Sequence, residues 1–217
     1  MAAHSENLLE ALVATSERVG LRLVTFTEVL SRADVSRATA YRLFPDGIDG
    51  LLGAMEDQLA DQTFLGIGKE VLSTRKGLVF SDVVEMAVRN YVVAARESQL
   101  FRVFGGDAEA INRHLLSFSN SPIGALRNFI SQSSYMFGAF GGETHETRTA
   151  VDRLVWAVMT ELASDLIFGN QAWPDHARLK NMIEFLLSRY SDAESPTVLN
   201  PQALVPLISW SQTHEAP

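Results

Sequence analysis

Apolar residues recur at three- and four-residue steps along almost the whole chain, which is the period of an amphipathic helix and not of a strand. Residues 6–19 carry Leu8, Leu9, Leu12, Val13 and Val19 and stop at Gly20, a favourable end for a helix. Two short segments follow, 27–33 and 36–43, closed off by Pro45 and Gly47. A longer helix is predicted from Asp49 to about Phe64, with Gly66-Ile67-Gly68 read as a break. Further on, 81–97 repeats the helical step through Val84, Ala87, Val88, Tyr91, Val92 and Ala95, with Ser81 as its candidate N-cap. Residues 99–118 are mixed around Gly105-Gly106-Asp107, and a helix is expected from Pro122 to Phe137 because proline suits a first turn.

The strongest stripes come late. Val151, Leu154, Val155, Val158, Leu162 and Leu166 share one face of a predicted helix over 144–168, roughly 37 Å long at 1.5 Å per residue. Leu179, Met182, Ile183, Leu186, Leu187 and Tyr190 do the same over 175–190. Pro196, Pro201 and Pro206 make the tail irregular, while Leu204, Leu207, Ile208 and Trp210 predict that it docks. No alternation is long enough for a strand, so the expected fold class is all-α.

Composition narrows the chemistry. The chain has 217 residues, 47% of them hydrophobic and 20% charged, enough apolar content for a substantial core. It contains no cysteine, which removes disulfides, thiolate metal sites and a cysteine nucleophile and fits a reducing compartment. The apolar runs fall short of the roughly 18 residues that span a bilayer, and no secretory pattern opens the chain, so a cytoplasmic protein without membrane partners is expected. The formal charge of −8 argues against a protein that coats nucleic acid non-specifically.

A local exception lies between Thr27 and Phe44. Thr27 and Ser36 are placed to cap two short helices, and Asp34 occupies the tight connection, where Asp tolerates left-handed geometry. Val29, Ala33, Val35, Ala40 and Phe44 are expected inside, with small residues at the helix crossing. Two capped helices joined this closely form a helix-turn-helix. The outward positions suit DNA: Arg37 and Arg42 offer guanidinium forks, Ala38 and Thr39 offer methyl groups, and Tyr41, Ser36 and Thr27 offer hydroxyls to phosphates. An ordinary αα-corner with surface arginines is the alternative reading of the same spacing.

The run Val35-Ser-Arg-Ala-Thr-Ala-Tyr-Arg-Leu-Phe-Pro45, with Thr27 eight residues before it, resembles the DNA-binding signature of the TetR family of bacterial transcriptional regulators. The resemblance covers about residues 8–56. It implies an all-α homodimer in which residues 1–48 form a three-helix DNA-binding head and 49–217 a helical ligand-binding and dimerisation domain. The sequence departs from the family pattern in several places. Asp34 stands for Gly, Leu30 for Ala and Leu43 for His; the link from Gly20 to Thr27 is two residues longer, and Asp46-Gly47-Ile48-Asp49 replaces a phosphate-binding Lys. Charge is distributed to match a DNA head: between residues 18 and 45 five arginines face Glu28 and Asp34, a net of +3, which leaves −11 elsewhere.

Nothing else forms a catalytic or metal constellation. His4, His114, His145, His176 and His214 belong to no H-E-x-x-H or E-x-x-H pattern, so no enzyme activity, metal or cofactor is expected. Aromatic and Met positions of the second domain are candidates for an effector cavity: Phe101, Phe104, Phe118, Phe129, Met136, Phe137, Trp156 and Met159, with Asn112, His114 and Tyr135 as polar anchors. An ordinary packed core is the competing account of each. Scarce charge in this set favours a small apolar or aromatic ligand. The resemblance makes the late stripes, through Val151, Val155, Val158, Leu162, Leu179, Met182, Ile183 and Leu186, a dimer surface. The expected function is thus a regulator, a repressor on a palindromic double-stranded operator; an all-α small-molecule-binding protein or enzyme without DNA binding is the alternative.

Overall fold

The structure is a computed structural model that describes residues 2–105, 107–115, 122–139, 149, 152–157, 180, 181, 183–185, 188 and 197–211. Helix α1 (Ala2–Val19) begins earlier than its apolar stripe and stops at Gly20, whose φ of 81° suits a residue without Cβ. A single 3-10 turn, Leu21–Leu23, then takes up the long link to the next helix.

Helix α2 (Phe26–Ala33) is capped by Thr25, not by the predicted Thr27. Thr25 has the extended backbone that an N-cap requires, and its hydroxyl accepts the Glu28 N–H at 3.3 Å while Glu28 Oε2 accepts the Thr25 N–H at 3.1 Å. Thr27 sits one residue inside the first turn, exposed. The donations from Thr25 hold the Glu28 carboxyl below the usual carboxylate range. Its contribution to stability is therefore complete above the ordinary carboxylate pKa and is lost as pH falls through the lowered value. Thr25→Ala is expected to cost the head about 1 kcal/mol, read as faster amide exchange in α2, whereas Thr27→Ala should stay within about 0.5 kcal/mol of the parent.

Asp34 ends α2 with φ 53° and ψ 42°, the left-handed geometry expected of it. Helix α3 (Arg37–Leu43) follows, with the Ser36 hydroxyl accepting the Thr39 N–H at 3.2 Å as predicted. Val29, Ala33, Val35, Ala40 and Phe44 are all buried, and α1 packs against both short helices.

Helix α4 (Ile48–Ser73) runs unbroken through the predicted Gly66-Ile67-Gly68 stop. The glycines serve packing. A Cβ on Gly66 would stand 2.3 Å from Asn90 Oδ1, and one on Gly68 would stand 3.4 Å from Ile208. Their small size lets two further helices approach, at a cost of roughly 1 kcal/mol each in helix propensity. Those neighbours are α5 (Phe80–Glu97) and the C-terminal helix Val205–Ser211. Ser81 is not the cap of α5: it is buried, and Asp82 Oδ2 accepts the Val79 N–H at 3.1 Å instead.

The mixed stretch resolves into α6 (Gln99–Phe104), a left-handed Gly105 and α7 (Ala108–Leu115). Helix α8 (Pro122–Phe137) has the predicted limits. It packs on α4 and α5, and α6 packs on α1. The tail docks as expected: Leu78 and Leu199 exchange two backbone hydrogen bonds at 2.9 Å, and Leu204 is fully buried. Residues 152–157 are helical, as are 180, 181, 183–185 and 188; the rest of the two predicted late helices lies outside the described residues. Among the described residues there is no strand beyond that single bridge, and the fold is all-α. No helix among them is long and apolar enough to cross a membrane.

Candidate nucleic-acid interface and interior polar cluster

Capping and burial together decide what α3 presents. With Ala40 at 0% exposure fixing the inner face, Arg37, Ala38, Tyr41 and Arg42 are exposed and Thr39 is half-buried. The Ser36 hydroxyl also bonds the Thr39 hydroxyl at 3.0 Å. Arg37 Nη2 donates to Thr27 Oγ1 at 3.5 Å, which brings the two predicted contacts from α2 and α3 together. The Tyr41 ring packs edge-on against Phe26, centroids 5.2 Å apart, so its position is set by the head's own packing. Arg42 and Arg32 have no ion-pair partner among the described residues.

Arg22 is not free to add to the head's positive surface, because its guanidinium is held by Asp107 at 2.9 Å and Glu109 at 2.5 Å. Arg18 stands 3.8 Å from Glu28. The free positive charge of the head thus narrows to Arg32, Arg37 and Arg42. Asp46 and Asp49 occupy the start of α4, where an anion-binding group would need the opposite sign.

Among the described residues the effector candidates fall into separate groups. Phe101, Phe104 and His114 do come together, the imidazole centroid lying 5.7 Å from each ring. His114 is buried, with Nδ1 2.9 Å from Glu56 Oε1 and Nε2 3.0 Å from the Tyr91 hydroxyl. The carboxylate accepts from Nδ1–H, so in the neutral imidazole Nε2 accepts from Tyr91. Burial pushes the Tyr91 phenol well above its usual range, which keeps it a donor. Neither Tyr91 nor Glu56 was singled out from sequence. A tyrosine inside an otherwise apolar stripe was the available signal, since a buried hydroxyl needs a partner.

Elsewhere Phe129 packs on Phe64 and Phe137 on Phe80, at centroid separations of 5.9 and 6.0 Å, as ordinary core pairs. Tyr135 is half-buried and Met136 exposed. Trp156, half-exposed, lines a separate surface recess of about 320 Å³ with Arg127, Thr149, Asp152 and Arg153. The Asn112 side chain, Phe118 and Met159 lie outside the described residues.

Of the dimer candidates, Val155 and Ile183 are buried within the subunit itself and so offer no free surface. A stripe that packs inward has the same period as one that meets a partner, so periodicity alone does not separate the two. The exposed large apolar residues beside them are Trp156 and Phe185. Val151, Val158, Leu162, Leu179, Met182 and Leu186 lie outside the described residues. No group of three potential metal ligands occurs among the described residues.

No protein-family model matches the sequence, and no curated protein matches it. Solved structures do. A TetR transcriptional regulator from Rhodococcus sp. RHA1 is 20% identical, with 88% of this chain and 98% of that one covered at a TM-score of 0.54. A TetR-family transcriptional regulator from Streptomyces coelicolor is 15% identical, covering 86% and 99% at 0.58. The regulator RolR in complex with resorcinol is 14% identical, covering 99% and 95% at 0.54. The helix-turn-helix geometry at the N-terminus and this likeness over most of the length agree: the chain has the fold of the TetR-family transcriptional regulators.

Proposed function

We propose that the chain is a TetR-type DNA-binding transcriptional regulator, a homodimeric repressor that binds a palindromic operator through α3 and is released by a small apolar or aromatic ligand. The observation that carries this reading is α3 itself: a helix capped by Ser36 after a left-handed Asp34, presenting Arg37, Ala38, Tyr41 and Arg42 outward over a buried Ala40. Such a helix fits the major groove, where arginine forks read guanine edges. A single head reads few bases, so useful specificity needs a second copy with its recognition helix about 34–36 Å away. For the effector, Phe101 and Phe104 pack on His114, whose two ring nitrogens are bonded to Glu56 and Tyr91, and an aromatic ring bearing a hydroxyl would enter by exchanging one of those bonds for its own. The aromatic diol bound by RolR supports the same class.

Selection from a pool of random-sequence duplexes tests both parts. The reading expects enrichment of an inverted repeat, bound by two chains, and weaker retention in the presence of a phenolic compound such as resorcinol. Enrichment of nothing above competitor DNA would remove the regulator assignment.

A further inference from the structure

The long link between α1 and α2 has a use. Its 3-10 turn carries Arg22, whose Nε donates to Asp107 Oδ2 at 2.9 Å and whose Nη2 donates to Asp107 Oδ1 at 3.3 Å and Glu109 Oε2 at 2.5 Å. Asp107 is also the cap of α7: its Oδ1 accepts the N–H groups of Glu109 and Ala110 at 3.0 and 3.2 Å. One carboxylate therefore binds a side chain of the head and the first turn of a body helix together. A second tie lies alongside, from Arg102 on α6 to Glu17 on α1 at 2.8 Å.

The far end of α7 is His114, wedged between Glu56 of α4 and Tyr91 of α5. From Asp107 to His114 is roughly 10 Å of helix, a short rigid body. Gly105, left-handed at φ 54°, ends α6 and separates it from α7.

We propose that Arg22 is a positioning residue for DNA binding: through Asp107 it fastens the head to the first turn of α7, so that the seating of α7 at His114 sets the orientation in which the head is held. This rests on the DNA-binding reading of α3. Exposed ion pairs add little to global stability, so the tie acts on orientation and not on folding. The guanidinium and the α7 N–H groups hold the Asp107 carboxyl down at about 2, so the tie persists at all ordinary pH but weakens with salt.

The chain has no cysteine, so labels can be introduced at chosen sites without background. Spin labels at Ser31→Cys in the head and Gln132→Cys on α8, both exposed, report the head-to-body distance. Labelled chains are diluted into unlabelled parent so that only distances within one subunit are read. The parent should show one dominant distance, with any alternative below roughly 10%. Arg22→Ala should raise the alternative about fivefold, and Asp107→Asn, which keeps a capping oxygen and leaves Glu109 on Arg22, should raise it about twofold. The double variant should match Arg22→Ala, Arg22→Lys should restore only part of the parent distribution because an ammonium lacks the guanidinium fork, and melting temperatures should hardly move. An unchanged distance distribution in both Arg22→Ala and Asp107→Asn would overturn the proposal. Affinity for a selected duplex is measured on the same variants. Distance changes in a chain that binds no DNA would retire the regulator reading and leave the mechanical tie standing; DNA binding with unchanged distances would do the reverse.

Discussion

Replacing Arg37 and Arg42 together with alanine is expected to weaken specific operator binding by about 30-fold or more, with the fold intact. Each guanidinium that reads a guanine edge is worth about 1–3 kcal/mol, and both are exposed on α3. In a dimer both heads lose the contact, so the loss is felt twice. Stability should be spared, since Arg42 has no ion-pair partner among the described residues and Arg37 makes only the 3.5 Å contact with Thr27. Titrations at several salt concentrations separate the roles. An arginine on a phosphate lowers the salt slope by about 1 and weakens all sequences alike, whereas one on a base leaves non-specific binding nearly untouched. With Arg22 and Arg18 engaged by carboxylates, three arginines carry the head's free positive charge, and affinity should fall steeply with salt in the parent itself.

Tyr91→Phe is expected to destabilise the body by about 1–3 kcal/mol, because among the described residues it removes the only donor facing His114 Nε2 in the neutral imidazole. Phe101 and Phe104 pack around the ring and cannot replace the hydroxyl. For a chain of this length each kcal/mol lowers the melting temperature by roughly 2–4 °C. His114→Leu should cost at least as much, as it strands the wholly buried Tyr91 hydroxyl, while Glu56 is exposed enough to reach water. The double variant should cost less than the sum of the two, because no buried group is left without its partner. Strict additivity in a denaturation cycle would mean that the 3.0 Å contact contributes nothing.

What was legible in the sequence was local. The helix-turn-helix could be read because its determinants lie within a few residues of one another: Ser36 beside the Thr39 N–H, Asp34 at the turn, Ala40 at the crossing. Even there the misplaced cap was recoverable, since Thr25 and Glu28 have the spacing of a capping box and Thr27 does not. The glycines of α4 misled because their reason is tertiary: Asn90 and Ile208, far along the chain, fill the space that a side chain would take. The same holds for the polar cluster, which draws Glu56, Tyr91 and His114 from three helices, and for Arg22 and Asp107, 85 residues apart. Periodicity identified buried faces but not their partners, so Val155 and Ile183 were assigned to a dimer surface although the subunit's own core contains them.

The central claim is that α3 reads DNA as one of a symmetric pair. Hydroxyl-radical footprinting of a selected duplex tests it most directly. Two protected patches on one face of the duplex, related by two-fold symmetry and about 34–36 Å apart, are the predicted result, with both patches lost in the Arg37→Ala, Arg42→Ala variant. Uniform protection that spreads with protein concentration, or a footprint unaltered by that double substitution, would contradict it.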